Sequence, residues 1–151
     1  MKRRYVVWLS VLLSLALVDY ALAQPLGVGA VRVEDYDRLF NLQTVENLKG
    51  EVLSVDTFSP GKGAHLTTGH VSLRLKTDKE TIEVYLGPQP YIDRQNIRLA
   101  AQDQVVVKGS RITREGKPLI IAMGVRKGDQ VLRLRDSQGK SGWSRDKGSG
   151  K

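Results

Sequence analysis

The chain has 151 residues, of which 24 are Lys or Arg and 16 are Asp or Glu, so its formal net charge is +8. It contains no cysteine, which excludes disulfides, thiolate zinc sites, c-type haem attachment and lipid attachment through an N-terminal cysteine. The length fits a single domain of ordinary size.

The N-terminal 23 residues have the order of a cleavable secretory signal peptide. Residues 2–4 are basic, residues 6–18 are largely apolar, and Ala21-Leu22-Ala23 supplies the small residues of a cleavage site. The apolar run is shorter than the about 20 residues that a membrane-spanning helix needs. We therefore expect cleavage after Ala23, no membrane span afterwards, and a periplasmic or secreted protein. An uncleaved signal anchor or a buried helix is the alternative.

The extension over residues 24–44 has no sustained period, although residues 36–42 could form a short helix or lean on the domain. A first strand is predicted from Val45 to Val55. Residues 48, 50 and 52 share one side of that strand, whereas Val55 takes the other side. This change of parity predicts a bulge near Leu53 or Ser54, which would let one bent strand pair in two sheets.

A hairpin follows, because residues 70–76 and 81–86 both alternate between apolar and polar side chains around a tight turn at 77–79. The alternation places Leu73 inside, and His70, Arg74 and Tyr85 on the wet face. A helix is predicted over residues 90–101, with Pro88 and Pro90 at its entry.

Three further strands are predicted at residues 104–108, 119–125 and 130–135, separated by turn-rich segments at 114–118 and 126–129. The barrel domain would thus span residues 45–136. Residues 137–151 are rich in Gly, Ser and Lys, which predicts a flexible tail.

This order of elements predicts an all-β fold, an OB-fold-like Greek-key barrel of five to six strands with one short helix between strands three and four. A generic antiparallel sandwich is the alternative. The predicted core consists of nine aliphatic residues. They are Val52, Val71, Leu73, Ile82, Val84, Val105, Val107, Ile121 and Leu132.

The segments 52–55, 84–88, 103–110, 120–122 and 132–136, together with Tyr91 and Trp143, resemble small exported bacterial OB-fold proteins. They are similar in particular to the N-terminal domain shared by the magnetosome-associated MamS and MamX proteins. The resemblance implies a barrel in the cell envelope and supplies no catalytic residue. MamX-type proteins also carry c-type haem motifs, which this chain lacks, so their redox role does not carry over.

In OB-folds the loops between strands one and two and between strands four and five rim the ligand face. The sequence places six candidate ligand-binding residues on or beside this rim: Lys62, Arg74, Tyr85, Arg111, Arg114 and Lys117. We expect them to form a basic surface that binds an acidic envelope protein, an anionic glycan or a lipid head group. Nucleic acid is disfavoured, because few aromatic residues are available for stacking and export removes most nucleic acid from reach.

No nucleophile motif, phosphate loop or metal-ligand spacing supports catalysis or a cofactor. His65 and His70 are interpreted as exposed polar residues rather than metal ligands. The sequence therefore predicts a non-enzymatic binding or assembly module without cofactor or metal, and leaves its oligomeric state open. An accessory subunit of an exported redox or metal-handling system is the alternative.

Overall fold

The structure, a computed structural model, describes residues 33–59 and 69–146. The predicted signal peptide, Lys62 and His65 lie outside the described residues. The strands are β1 (Val45–Phe58), β2 (His70–Lys76), β3 (Thr81–Pro88), β4 (Gln104–Arg114), β5 (Lys117–Lys127) and β6 (Gln130–Arg133). The helices are α1 (Val33–Leu39), α2 (Gln89–Asp93) and α3 (Trp143–Asp146), and a 3-10 turn covers Leu42–Thr44.

The strands close into a barrel. Their order is β3-β2-β1-β4-β5-β6, and β3 also pairs in parallel with β5 through Val84 and Ile120. This last pairing joins the two ends of a five-stranded sheet, while β6 extends it beyond β5. The predicted all-β, OB-fold-like barrel is confirmed.

The bend in β1 makes the closure possible. Its first half pairs with β4 and its second half with β2, and the register shifts between Val52 and Ser54, where Leu53 is the extra residue. The bulge predicted from the change of parity is therefore confirmed. A Cβ at Gly50 would clash with the carbonyl oxygen of Lys76, so glycine permits the close approach of β2 at this point.

Strands β4 and β5 are longer than predicted, and this changes the surroundings of the candidate site. The pair continues to Arg114 and Lys117, and the connection is only Glu115-Gly116, both with positive φ of 49° and 75°. Two central residues with positive φ are typical of a tight hairpin turn. The turn-rich loop predicted at 114–118 is thus a two-residue hairpin turn.

Helix α2 lies between β3 and β4 as predicted, but it ends at Asp93 instead of Ala101. Beyond it, Ile97 is buried and Leu99 half-buried. Residues two apart share a side in an extended chain and oppose each other in a helix. The spacing of these two side chains therefore favours the extended segment that is observed.

The nine predicted core residues are all buried, in two clusters. The larger cluster fills the barrel and contains eight of them. Ile121 belongs instead to a second cluster on the outside of the sheet, with Tyr36, Tyr85 and Leu119. A second apolar layer therefore covers part of the outer surface.

Residues 137–146 depart from the predicted flexible tail. Arg135 forms a bridge with Ser141, Gly142 N–H donates to the carbonyl oxygen of Leu134, and Trp143 packs against the barrel core. Trp143 also meets the edge of the Tyr91 ring at 5.5 Å between centroids. The packing of Trp143 and these backbone hydrogen bonds together hold this otherwise polar segment against the domain.

Candidate functional site

The five predicted ligand-binding residues that the structure describes do not form one surface. Lys62 lies outside the described residues, and Arg74 is exposed on β2. Arg114 and Lys117 are cross-strand partners at the β4–β5 turn, so these two do come together. Arg111 precedes Arg114 by three residues on the same strand, and positions an odd number apart point to opposite faces.

Arg111 is occupied by two carboxylates. Its Nε donates to Glu46 at 2.5 Å and its Nη2 donates to Glu80 at 2.6 Å. The hydrogen bond with Glu80 is the main cause that raises the pKa of Arg111, and the same contact lowers the pKa of Glu80. Because Glu46 and Glu80 neutralise its charge, Arg111 is a structural cross-link between β1, β4 and the β2–β3 turn.

Tyr85 was predicted on the exposed face of β3, and this prediction is wrong, because the side chain is only 1% exposed. The Tyr36 ring from α1 stacks on it, with the centroids 3.9 Å apart and the planes at 12°. The alternation of β3 was correct, but the N-terminal extension covers the side that was expected to face water. Burial raises the pKa of the Tyr85 hydroxyl above its ordinary value of 10.0.

His70, also predicted to be exposed, is 2% exposed under the same cover. Its Nδ1 shares a hydrogen bond of 2.9 Å with the Tyr85 hydroxyl, and Phe58 lies beside both rings. Burial lowers the pKa of His70 below 6.5, so the neutral form is favoured in the folded protein. The His70 ring and the Tyr85 hydroxyl therefore hydrogen-bond to each other within the second apolar cluster and do not face solvent.

Two arginines hold helix α1, which covers Tyr85, against the barrel. The Arg114 guanidinium lies over the Tyr36 ring at 5.3 Å. Arg135 donates from Nη2 to Asp37 at 2.6 Å and from Nη1 to the carbonyl oxygen of Gly139 at 3.0 Å. Arg114, a predicted ligand-binding residue, thus packs against the protein's own extension.

A different cationic surface is formed by the outer side of β1, β4, β5 and β6. Two cross-strand rows define it, and we call them together the basic face. The first row is Asn47, Lys108, Gly124 and Arg133, and the second is Lys49, Val106, Arg126 and Val131. Within the part of the chain that the structure describes, none of these four cations forms an ion pair.

The local sequence explains why these cations share one side. Three of these cations directly follow a residue that is buried in the barrel: Lys108 follows Val107, Arg126 follows Val125, and Arg133 follows Leu132. Alternation therefore turns them outward together. The signal was present in the sequence, but it becomes a surface only when the register of the four strands is known.

An open groove of about 1190 Å³ runs along this face. Four cations line it, Lys108, Arg126, Arg133 and Lys140, together with the carboxylate of Asp136. Apolar residues, among them Leu42, Val45 and Met123, complete the lining. The groove therefore combines an excess of positive charge with apolar contacts.

In residues 33–59 and 69–146, no group of three or more His, Asp or Glu side chains is placed to hold a metal ion. No helix within these ranges has the length and apolar character needed to cross a bilayer.

The fold and this face define a small OB-fold-like barrel whose outer sheet carries a cationic groove. The model of the MamS/MamX magnetosome protein family matches residues 44–132, more than half of the chain. The chain belongs to this magnetosome-associated family, and the resemblance seen in the sequence is confirmed. No curated protein matches the sequence. The matched span contains both rows of the basic face except Arg133.

Proposed function

We propose that this protein is a non-enzymatic binding or assembly module of the cell envelope that holds an acidic partner on its basic face. The observation that carries the proposal is a group of four cations on adjacent strands of one sheet, none of which has an ion-pair partner among the described residues: Lys49, Lys108, Arg126 and Arg133. Like charges held close together create a local positive field that attracts and orients acidic groups. The signal-like N-terminus supports a periplasmic or secreted location for this module.

The surface chemistry supports binding rather than turnover. The basic face offers positive charge, hydrogen-bond donors and apolar contacts. The buried polar side chains with shifted pKa values, His70 and Tyr85, lie instead beneath α1. Side chains on strands are also held more firmly than side chains on loops, which suits a docking surface. The proposed contact therefore moves from the barrel rim to the outer side of β1, β4, β5 and β6.

The proposal is tested by the binding of fluorescein-labelled polyglutamate to the full chain, followed by fluorescence anisotropy. Raising salt from about 0.05 M to about 0.5 M should weaken binding strongly, because exposed charges are screened over less than 10 Å at the higher salt. Arg126→Glu combined with Arg133→Glu should weaken it about tenfold or more, since two attractions become repulsions.

The matched control is Arg74→Glu, a single charge reversal at an exposed position of β2 outside the basic face. It should weaken binding much less than either Arg126→Glu or Arg133→Glu alone. Binding that ignores both salt and the double reversal, or that Arg74→Glu weakens as strongly, would refute the basic face as the docking surface.

A further inference from the structure

The barrel has a second outer surface, beneath α1, that goes beyond the proposed function of the basic face. It contains Tyr85, Leu119 and Ile121, and we call it the covered face. We propose that the covered face is a binding site for a short acidic segment of a partner protein that carries a tyrosine. In this structure α1 occupies the site with its own Tyr36. The covered face shares no residue with the basic face.

The covered face is the part of the barrel that OB-folds use for ligands. Tyr85 lies on β3, His70 on β2, and Arg114 at the end of β4 beside the turn to β5. In OB-folds the outer side of strands two and three, together with the loops that follow strands one and four, holds the ligand. Helix α1 therefore lies where other barrels of this fold bind a partner.

The contacts of α1 show which groups the covered face accepts. The Tyr36 ring stacks on Tyr85 with the centroids 3.9 Å apart, and the Arg114 guanidinium lies over the same ring at 5.3 Å. Asp37, the next residue, forms an ion pair of 2.6 Å with Arg135. The site therefore accepts an aromatic ring with a carboxylate directly after it.

Only a few groups hold α1 in place. Among the side chains of residues 36–39, only Tyr36 is buried, and Leu39 is 43% exposed. A helix of seven residues is also too short to be stable in water without packing. Because the attachment depends mainly on the Tyr36 ring and the Asp37 carboxylate, a segment with the same two groups can compete with α1.

The barrel does not need α1 to complete its interior. The larger core cluster contains no residue of this helix. Beneath the helix, His70 Nδ1 and the Tyr85 hydroxyl hydrogen-bond to each other at 2.9 Å. Both groups therefore keep a partner when the helix leaves, and exposure of the covered face leaves no new unpaired polar group from this pair.

One donor at the covered face is not satisfied by α1. Arg114 Nη1 is buried, but it has no hydrogen-bond acceptor among the described residues. A buried donor without an acceptor costs free energy. A ligand that brings a carboxylate or carbonyl oxygen to Arg114 therefore gains a hydrogen bond that α1 does not make.

A separate protein is favoured over a second copy of this chain. The chain has a formal net charge of +8, so two copies repel each other, whereas an acidic segment is attracted. Residues 33–37 of the present occupant read Val-Glu-Asp-Tyr-Asp, with three carboxylates around the tyrosine. The expected partner segment has the same composition.

The test uses a labelled peptide of residues 33–40, Val-Glu-Asp-Tyr-Asp-Arg-Leu-Phe, and fluorescence anisotropy with the full chain. Tyr36→Ala in the chain vacates the site. This variant should bind the peptide about tenfold or more tightly than wild type, whose own α1 competes at a high effective concentration. The peptide with Tyr36→Ala has the same charge and should not bind detectably.

A second measurement needs no variant of the chain. Wild-type protein mixed with the peptide at about 1 mM, the range of effective concentration of a tethered segment, should show faster amide hydrogen exchange at residues 36–40. The peptide with Tyr36→Ala should leave that exchange unchanged. The acceleration reports displacement of α1, because peptide bound elsewhere does not uncover Tyr36.

Further substitutions, each combined with Tyr36→Ala in the chain, locate the bound peptide. Arg114→Ala should weaken peptide binding about three- to fivefold, because no guanidinium then lies over the ring. Lys117→Ala, at its cross-strand partner, should leave binding unchanged. Arg126→Glu with Arg133→Glu should also preserve it, because these residues belong to the basic face.

Equal peptide affinity for wild type and Tyr36→Ala, or unchanged exchange at residues 36–40, would overturn the inference. Loss of peptide binding in the Arg126→Glu and Arg133→Glu variant would also overturn it, by assigning the peptide to the basic face. Dimerisation that Tyr36→Ala abolishes would identify a second copy as the occupant instead. None of these results touches the proposed function, which fails only in the polyglutamate experiment.

Discussion

Leu73→Ala should lower the free energy of unfolding by about 2 to 5 kcal/mol, the usual cost of truncating a buried leucine. Leu73 is fully buried in the barrel on β2, where it pairs with Val55 on β1 and Val84 on β3. The chain contains no cysteine, so no disulfide offsets the loss. Urea denaturation followed by far-ultraviolet circular dichroism measures the change.

The neighbouring substitution Arg74→Ala is the control, because it lies on the same strand and points to the exposed side. Its effect should stay within about 0.5 kcal/mol, as for most surface substitutions. Equal losses for the two variants would mean that the faces of β2 are assigned wrongly.

Arg135→Ala should also be strongly destabilising, by about 2 to 4 kcal/mol. The Arg135 side chain is 1% exposed and lies between the rings of Phe40 and Trp143, at 4.9 and 5.2 Å from their centroids. It also bonds to Asp37 and to the Gly139 carbonyl oxygen. Its partner Asp37 is 42% exposed and can regain water, which keeps the loss below that of a fully buried pair.

The loss of stability in the Arg135→Ala variant should be localised to the segments that Arg135 contacts. Arg135 contacts two terminal segments of the described domain, one before β1 and one after β6. Amide hydrogen exchange should therefore accelerate most at residues 36–40 and 139–143, ahead of the strands. Arg133→Ala, two residues away and exposed, should change neither exchange nor stability appreciably. Unchanged exchange in the two terminal segments of the Arg135→Ala variant would contradict the role of this side chain as their anchor.

Much of the fold is predictable from local alternation. Residues 70–76 and 81–86 alternate so regularly that both strands and their turn follow directly, and the change of parity at Val55 reveals the bulge. Helix α2 was predicted too long, because Ile97 and Leu99 were counted as helical positions although their spacing suits an extended chain. Local patterns therefore specify the strands better than the segments between them.

The candidate site was less predictable because its residues depend on contacts distant in sequence. Arg111 reads as a free surface cation until its partners Glu46 and Glu80, 65 and 31 residues away, are placed beside it. Tyr85 reads as exposed until Tyr36 covers it. The four cations of the basic face differ from these two, because each is exposed as the local alternation predicts. They form one surface only through the register of four strands, which the sequence does not reveal.

Site-specific photo-crosslinking in cells that produce the protein tests the central claim most directly. A benzoylphenylalanine placed at position 126, in the middle of the basic face, should form a crosslink to a segment rich in Asp and Glu, identified by mass spectrometry. The same probe at position 74, exposed on β2, should not capture that segment. Capture of the same acidic segment from position 74 but not from position 126, or capture of a segment without acidic residues at position 126, would contradict the account.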